Sequence, residues 1–358
     1  MGFVIPITEF GSYLLYSILV GHVALQFVPE ANKPKINIPK PVLLLSTLGI
    51  IIFSLGPIVQ TVSYFQGGIG LALATKSVLL DFQVGRAWIL IGLIATCLYL
   101  TILLNGSKYI QAILLFLMIL AVGYSSHVAS LSFWAGLWSH SIHFLIVTLW
   151  TGILIHVAWF SKEETNWSKF LRWFTPFAVL CLIIILLSGI YLMLFLVVPT
   201  DYVTAWVLPY GQMLLLKHIS IIPVLVFAFI NGVLSRKSLK ISSFNPKPWI
   251  RGESIILFIV FYFTAVMGTL SPPHEVELTV KSEGASKWVE WLRGENILST
   301  LQIHLAPSFQ SLFLVIVSIL FLLMILFSFK QKRPILAVAF GVTFIIVLYM
   351  GLMFSLSM

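Results

Sequence analysis

The sequence predicts an all-α, polytopic transmembrane bundle of about ten spanning helices, with both termini on the outer side of the membrane. Hydrophobic residues make up 59% of the 358-residue chain and charged residues only 9%, whereas charged residues are roughly a quarter of a soluble domain. The apolar residues form long continuous runs, which favours helices over the alternating pattern of a membrane β-barrel. Basic residues recur in every second loop, and this pattern predicts the orientation.

Each predicted helix corresponds to one apolar run. Prolines lie near several ends, as at Pro29, Pro209 and Pro334, because a residue without a backbone N–H interrupts a helix. Pro57 and Pro223 lie inside runs, so we expect kinks in those helices. The runs lie near residues 10–28, 41–63, 87–104, 109–125, 139–160, 172–198, 210–234, 252–271, 309–329 and 334–356.

The loops that follow the odd-numbered helices are rich in lysine and arginine. The alternate loops are poor in positive charge or contain balancing acids. Because basic loops stay in the cytoplasm, both termini are predicted outside, in a protein of the cytoplasmic membrane. Topology also accounts for the net charge of +9, so we expect no nucleic-acid partner. The basic positions lie in residues 33–40, 108, 162–172, 236–251 and 330–333.

We divide the chain into three parts from this topology. Residues 1–271 form an eight-helix membrane core, 272–308 an extracellular loop, and 309–358 two additional transmembrane helices. The loop contains Trp288 and Trp291 among lysines and glutamates, a mixture that suits a short helix at the membrane interface. A plain extracellular loop is the alternative interpretation.

The predicted orientation gathers histidines and methionines at the outer ends of the helices. His140 and His143 begin the fifth helix at positions i and i+3, so they share one face. Imidazole and thioether ligands favour copper, and apolar surroundings favour Cu(I). The alternatives are packed methionines and hydrogen-bonded surface histidines. The predicted outer ligands are His127, His140, His143, His274, His304, Met193, Met213 and Met267.

Other ionisable residues lie inside the predicted spans, where an unpaired charge costs about 3 kcal/mol on insertion scales. Lys217, next to His218, could reach the surface, pair with an acid or lose its proton. Glu253 opens the eighth helix, where it could act in the pathway or simply cap the helix dipole. His22 and His156 could hold the iron of haem b, form an inner copper station, or each bond a core carbonyl or hydroxyl.

Motifs of common enzyme classes are absent from the sequence. It contains no HExxH, GxSxG, Walker loop or dinucleotide fingerprint. Cys97 and Cys181 are the two cysteines, each alone in an apolar run, so neither a CxxC site nor a disulfide framework is predicted. We therefore expect a transporter rather than an enzyme, driven by a gradient or a coupled ion.

Three central stretches resemble the copper resistance protein D family, which includes the YcnJ-like importers. Residues 123–154 read GYSSHVASLSFWAGLWSHSIHFLIVTLWTGIL, similar to the family's histidine loop and Trp-x-Gly helix. Residues 208–237 read LPYGQMLLLKHISIIPVLVFAFINGVLSRK, similar to its Tyr-Gly-x-x-Leu-x-x-Lys helix. Residues 251–275 read RGESIILFIVFYFTAVMGTLSPPHE, similar to its Glu-led helix ending in Pro-Pro. Their order and spacing agree over about residues 120–275.

The resemblance implies an inner-membrane bundle that moves copper inward, as Cu(I) or Cu(II). The implied partners are copper ions, membrane lipid and an extracellular copper-binding donor protein. A haem b protein of electron transfer or oxidase assembly, and a copper sensor or chaperone partner without transport, are the alternatives. The resemblance gives weight to His127, His143, Trp150, Tyr210, Lys217, Glu253 and His274.

Overall fold

Long α-helices form where the apolar runs lie. The computed structural model describes residues 4–162, 166–238, 244–273, 275–294, 296–297 and 303–357. Contacts divide the chain into two units, Met1–Phe195 and Leu196–Met358. The helices of the first unit are α1 (Val4–Gln26), α2 (Lys40–Phe53), α3 (Leu55–Ile69), α4 (Leu71–Leu80), α5 (Gln83–Leu103), α6 (Lys108–Tyr124), α7 (His127–Leu131), α8 (Phe133–Trp159) and α9 (Trp167–Leu196), which ends at the boundary.

The second unit contains the remaining helices and one short pair of strands. Strand β1 (His304–Leu305) pairs in antiparallel fashion with β2 (Leu356–Ser357). A π-helical turn, Ile230–Leu234, follows the first long helix. The helices are α10 (Pro209–Phe229), α11 (Ser235–Ser238), α12 (Lys247–Gly268), α13 (Val276–Glu283), α14 (Lys287–Arg293), α15 (Phe309–Lys330) and α16 (Pro334–Met353).

The predicted all-α polytopic bundle is confirmed. Within the described residues, nine segments are long and apolar enough to cross a membrane, and α2 and α3 count together as one of them. The remaining predicted span is α6, whose 17 residues lie at the lower end of the usual range. The orientation of the termini and the boundaries at residues 271 and 308 stay predictions.

The second predicted span breaks between α2 and α3. The break falls at Ser54, three positions before Pro57. Proline has no backbone N–H, so the carbonyl one turn earlier loses its helical hydrogen bond. After α3, Gly70 takes a positive φ of 80° and α4 begins at the next residue. Ala74 and Val78 of α4 then pack against α3 in a small separate cluster. The apolar runs do not predict a helix in this segment.

Helices α1 and α8 form the centre of the first unit and run parallel. Tyr16 packs edge-on against Phe144, with ring centres 5.2 Å apart. Further along both helices, a Cβ added to Gly21 would overlap the backbone of Gly152. Small residues allow this close approach of two helix backbones. The parallel direction agrees with three crossings between these helices, as the apolar runs predict.

The basic loops of the first unit meet at one end. Lys33 donates to the carbonyl of Leu25 at 2.6 Å, and Lys108 to that of Gln26 at 3.1 Å, so both cap the end of α1. Lys40 caps α5 through the Leu103 carbonyl at 2.7 Å. Cations are favourable at helix C-termini because of the helix dipole. The predicted cytoplasmic loops therefore share one end of this unit.

In the second unit, α10 packs against α12, and α15 against α16. The connection at 272–308 contains the two short helices α13 and α14. Trp288 stacks on Trp291 with ring centres 5.0 Å apart, and its Nε1 donates to the Tyr349 hydroxyl at 3.0 Å. This contact attaches α14 to α16. Its placement at a membrane interface stays a prediction.

Candidate functional site

The predicted outer histidines of the first unit lie around the start of α8. His127 is exposed at the first position of α7, just after the cap residue Ser126. Helix α7 folds closely onto α8, because a Cβ added to Gly136 would overlap the backbone of Ala129. His140 is half-buried, with its ring 6.3 Å from that of Phe144. This end lies opposite the basic loops.

His143 joins α8 to α9 through Ser188. Its Nδ1 lies 2.9 Å from the Ser188 hydroxyl oxygen, and that hydroxyl lies 2.6 Å from the Ile184 carbonyl. A carbonyl can only accept, so Ser188 donates to Ile184 and accepts from His143 Nδ1–H. In this arrangement the lone pair of His143 is on Nε2, the atom that could bind a metal.

The predicted histidine ligands do not form a recognisable metal cluster in the described residues. These residues contain no group of three or more His, Cys, Asp or Glu side chains that could hold a metal ion. His274 lies outside the described residues. His304 is exposed on β1 opposite Ser357 in the second unit. The three predicted methionine ligands are half-buried: Met193 on α9, Met213 on α10 and Met267 on α12.

The rings of His22 on α1 and His156 on α8 lie close together. Their ring centres are 6.2 Å apart, and the planes differ by 31°. His156 is 1% exposed, and its Nδ1 donates to the Gly152 carbonyl at 2.7 Å. Its Nε2 is buried without a hydrogen-bond partner among the described residues. Trp150, on the same helix, is also buried, and its Nε1 has no partner among those residues.

In the second unit, His218 bonds Tyr202 in the turn before α10. The Tyr202 hydroxyl lies 2.7 Å from His218 Nδ1. Burial raises the pKa of Tyr202 above its ordinary value. The phenol therefore keeps its proton at neutral pH and can donate to Nδ1. Lys217 is half-buried and has no hydrogen bond or ion pair with any described residue.

Glu253 lies at the opposite end of the packed helices α10 and α12. It is 2% exposed, and its Oε2 accepts from Asn231 Nδ2 at 2.6 Å. The Asn231 amide also donates to the Trp249 carbonyl at 3.2 Å. Asn231 belongs to the π-helical turn, a distortion often found at functional sites. A simple helix cap does not describe Glu253, because its carboxyl group bonds a side chain of another helical segment.

Residues 168–267 match the copper resistance protein D family. The match covers α9, α10 and most of α12, and therefore contains Ser188, Lys217, Asn231 and Glu253. It confirms the predicted resemblance in this segment. No curated protein and no solved structure matches the chain.

The family segment includes two partners that are not among the predicted site residues, Ser188 and Asn231. Both are ordinary polar residues in apolar helices, and only the packing shows that they bond His143 and Glu253. Tyr210, which the resemblance did indicate, is buried at the start of α10.

Glu9 is a further acid within a long helix, and it lies outside the predicted sites. The apolar run predicts a helix from residue 10, whereas α1 begins at Val4 and includes this acid. Glu9 bonds Tyr13 one turn along the same helix. An isolated acid beside an apolar run is the signal that could have identified it, because a carboxyl inside a span is costly without a partner.

Proposed function

We propose that this protein moves copper ions inward across the cytoplasmic membrane. The observation that supports this most directly is the copper resistance protein D match over residues 168–267, in a bundle of apolar helices. The bundle makes it a multi-pass membrane protein. Copper is the substrate in this proposal, and the extracellular donor protein is a proposed partner.

In the first unit, the proposed outer ligands are His127, His140, His143 and Met193. Imidazole and thioether groups suit soft copper ions. The contact between His143 and Ser188 supports a ligand role, because metal-binding histidines usually donate their other ring N–H to a nearby acceptor. His274, His304, Met213 and Met267 stay proposed ligands of the second unit.

Helices α10 and α12 supply the proposed pathway residues of the second unit. Lys217, without a partner among the described residues, would shape the electric field met by a cation rather than bind it. Glu253 would offer a carboxyl group at the inner end, restrained by Asn231. Tyr210 and His218 lie along the same helix α10.

Copper uptake into vesicles containing the purified protein tests the proposal. We expect His143→Ala and His127→Ala to reduce uptake at low copper concentration, because each removes a proposed ligand. Ile142→Ala, at an exposed position beside His143, is the matched control and should transport normally. Unchanged uptake in both histidine variants would refute the outer site. Copper binding without uptake in the unmodified protein would instead favour a sensor or chaperone partner.

A further inference from the structure

We infer that His22 and His156 form a two-coordinate Cu(I) site inside the first unit. The choice of copper rests on the proposed function, whereas the site itself rests on the geometry of the pair. The two imidazole rings belong to the parallel helices α1 and α8, and their centres are 6.2 Å apart. Both rings lie largely inside the unit, because His22 is half-buried and His156 is fully buried.

The protonation pattern of His156 is that of a metal ligand. Because the Gly152 carbonyl can only accept, Nδ1 must hold the ring proton and Nε2 the lone pair. Metal-binding histidines typically donate their second nitrogen to a backbone carbonyl in this way. The lone pair on Nε2 has no hydrogen-bond partner in the described part of the chain, and such a buried group commonly indicates an ion or water.

The spacing of the rings suits one ion between them. An imidazole nitrogen lies about 1 Å from its ring centre and binds a metal at about 2 Å, so two facing nitrogens place the ring centres about 6 Å apart. The observed separation is 6.2 Å. His22 has no hydrogen bond to any described residue, so its nitrogen is not committed to another group.

The ligand set favours Cu(I) over harder ions. Zinc sites usually need four ligands, and the described residues provide no third His, Cys, Asp or Glu for a cluster here. Cu(I) accepts two nitrogen ligands and is favoured by soft ligands in apolar surroundings. Phe160 supplies part of that surrounding, with its ring centre 5.7 Å from that of His156.

The charge of Lys33 near this pair is already compensated. Lys33 acts electrostatically on His22, which would disfavour a cation if its charge were unpaired. Its ammonium group lies 2.7 Å from the Glu30 carboxylate and donates to the Leu25 carbonyl at 2.6 Å. A bound Cu(I) ion therefore lies beside an ion pair rather than beside an isolated charge.

The helix crossing disfavours haem at the same position. Gly21 precedes His22 and Gly152 lies one turn before His156, and the backbones of these glycines are in direct contact. A macrocycle between the two histidines needs a broad slot between α1 and α8. A single ion needs only the gap between the two rings.

The test is a Cu(I) titration of the full-length protein in detergent against a coloured Cu(I) chelator, with x-ray absorption of the copper-loaded protein. We expect His22→Ala and His156→Ala each to bind one Cu(I) fewer than the unmodified protein. Ile142→Ala, at an exposed position that is not a proposed ligand, should bind as much Cu(I) as the unmodified protein. His22→Met should restore binding with one nitrogen replaced by sulfur. If His156→Ala does not fold, the pair His22→Ala and His22→Met decides the question.

Unchanged stoichiometry in His22→Ala would overturn the inference, as would a Soret band that His22→Ala abolishes, because that band would assign the pair to haem. The titration requires no transport. Cu(I) bound by the pair in a protein without vesicle uptake would therefore contradict only the proposed function. Normal uptake without Cu(I) at the pair would contradict only the inference.

Discussion

Histidine chemistry in this protein depends on which ring nitrogen has a fixed partner. Ser188 accepts from Nδ1 of His143, and the Gly152 carbonyl accepts from Nδ1 of His156. In both cases the lone pair is on Nε2, the nitrogen that faces away from the partner. His218 differs, because its Nδ1 lies 2.7 Å from the Tyr202 hydroxyl, a group that can both donate and accept, so this contact does not fix the position of the ring proton. The first two are therefore better prepared to bind a metal.

Replacement of Ser188 tests this distinction for the outer site. Ser188→Ala removes the acceptor of His143 Nδ1–H, and loss of such a partner typically lowers metal affinity by about 10–100-fold. We expect a fall in Cu(I) affinity of this order, measured by chelator competition. Ser188→Thr keeps the hydroxyl and should restore the affinity. Equal affinities in the alanine and threonine variants would show that Ser188 does not orient a ligand.

Asn231 has a corresponding structural role for the buried carboxyl group of Glu253. Asn231→Ala leaves Glu253 buried without its 2.6 Å hydrogen bond, and such a loss costs about 1–3 kcal/mol in free energy of unfolding. Thermal unfolding in detergent would measure the effect. Because the two residues contact each other, the double variant Asn231→Ala with Glu253→Ala should be destabilised by less than the sum of the single variants. Additive effects would contradict the coupling.

At the scale of the elements, the sequence predicted the long helices because a bilayer demands long apolar runs. It did not predict α4, because this apolar helix has only 10 residues and is too short to cross a bilayer. The candidate site was less predictable. His143 and Ser188 are 45 residues apart. The spacing of apolar and polar residues within α8 or α9 does not indicate which faces of the two helices pack together.

The contact of α1 with α8 depends on Gly21 and Gly152. A Cβ added to Gly21 would overlap the Gly152 backbone, so Gly21→Ala must push the helices apart. We expect a loss of about 1–3 kcal/mol in free energy of unfolding, the usual cost of overpacking. Gly92→Ala on α5 is the control, because no atom lies within 4 Å of its added Cβ. Similar melting temperatures for both variants would contradict the close crossing.

At the scale of the whole molecule, topology decides which residues can meet copper first. Within the first unit, Lys33, Lys40 and Lys108 cap helices at one end, whereas His127 and His140 lie at the other. The sequence predicted this separation from loop charge alone, because the lysines that orient the chain also bind exposed helix ends. The next step is to determine which of these two ends faces the cytoplasm.

Cysteine labelling of intact cells tests that step. In a background with Cys97→Ser and Cys181→Ser, Ser130→Cys on α7 should react with a membrane-impermeant maleimide added outside. Lys35→Cys, at an exposed position in the basic end, should react only after permeabilisation. Both positions lie outside the long spans, so differences in labelling report the side of the membrane. The reverse pattern would invert the bundle and place the proposed outer ligands in the cytoplasm, which would refute inward uptake through His127 and His143.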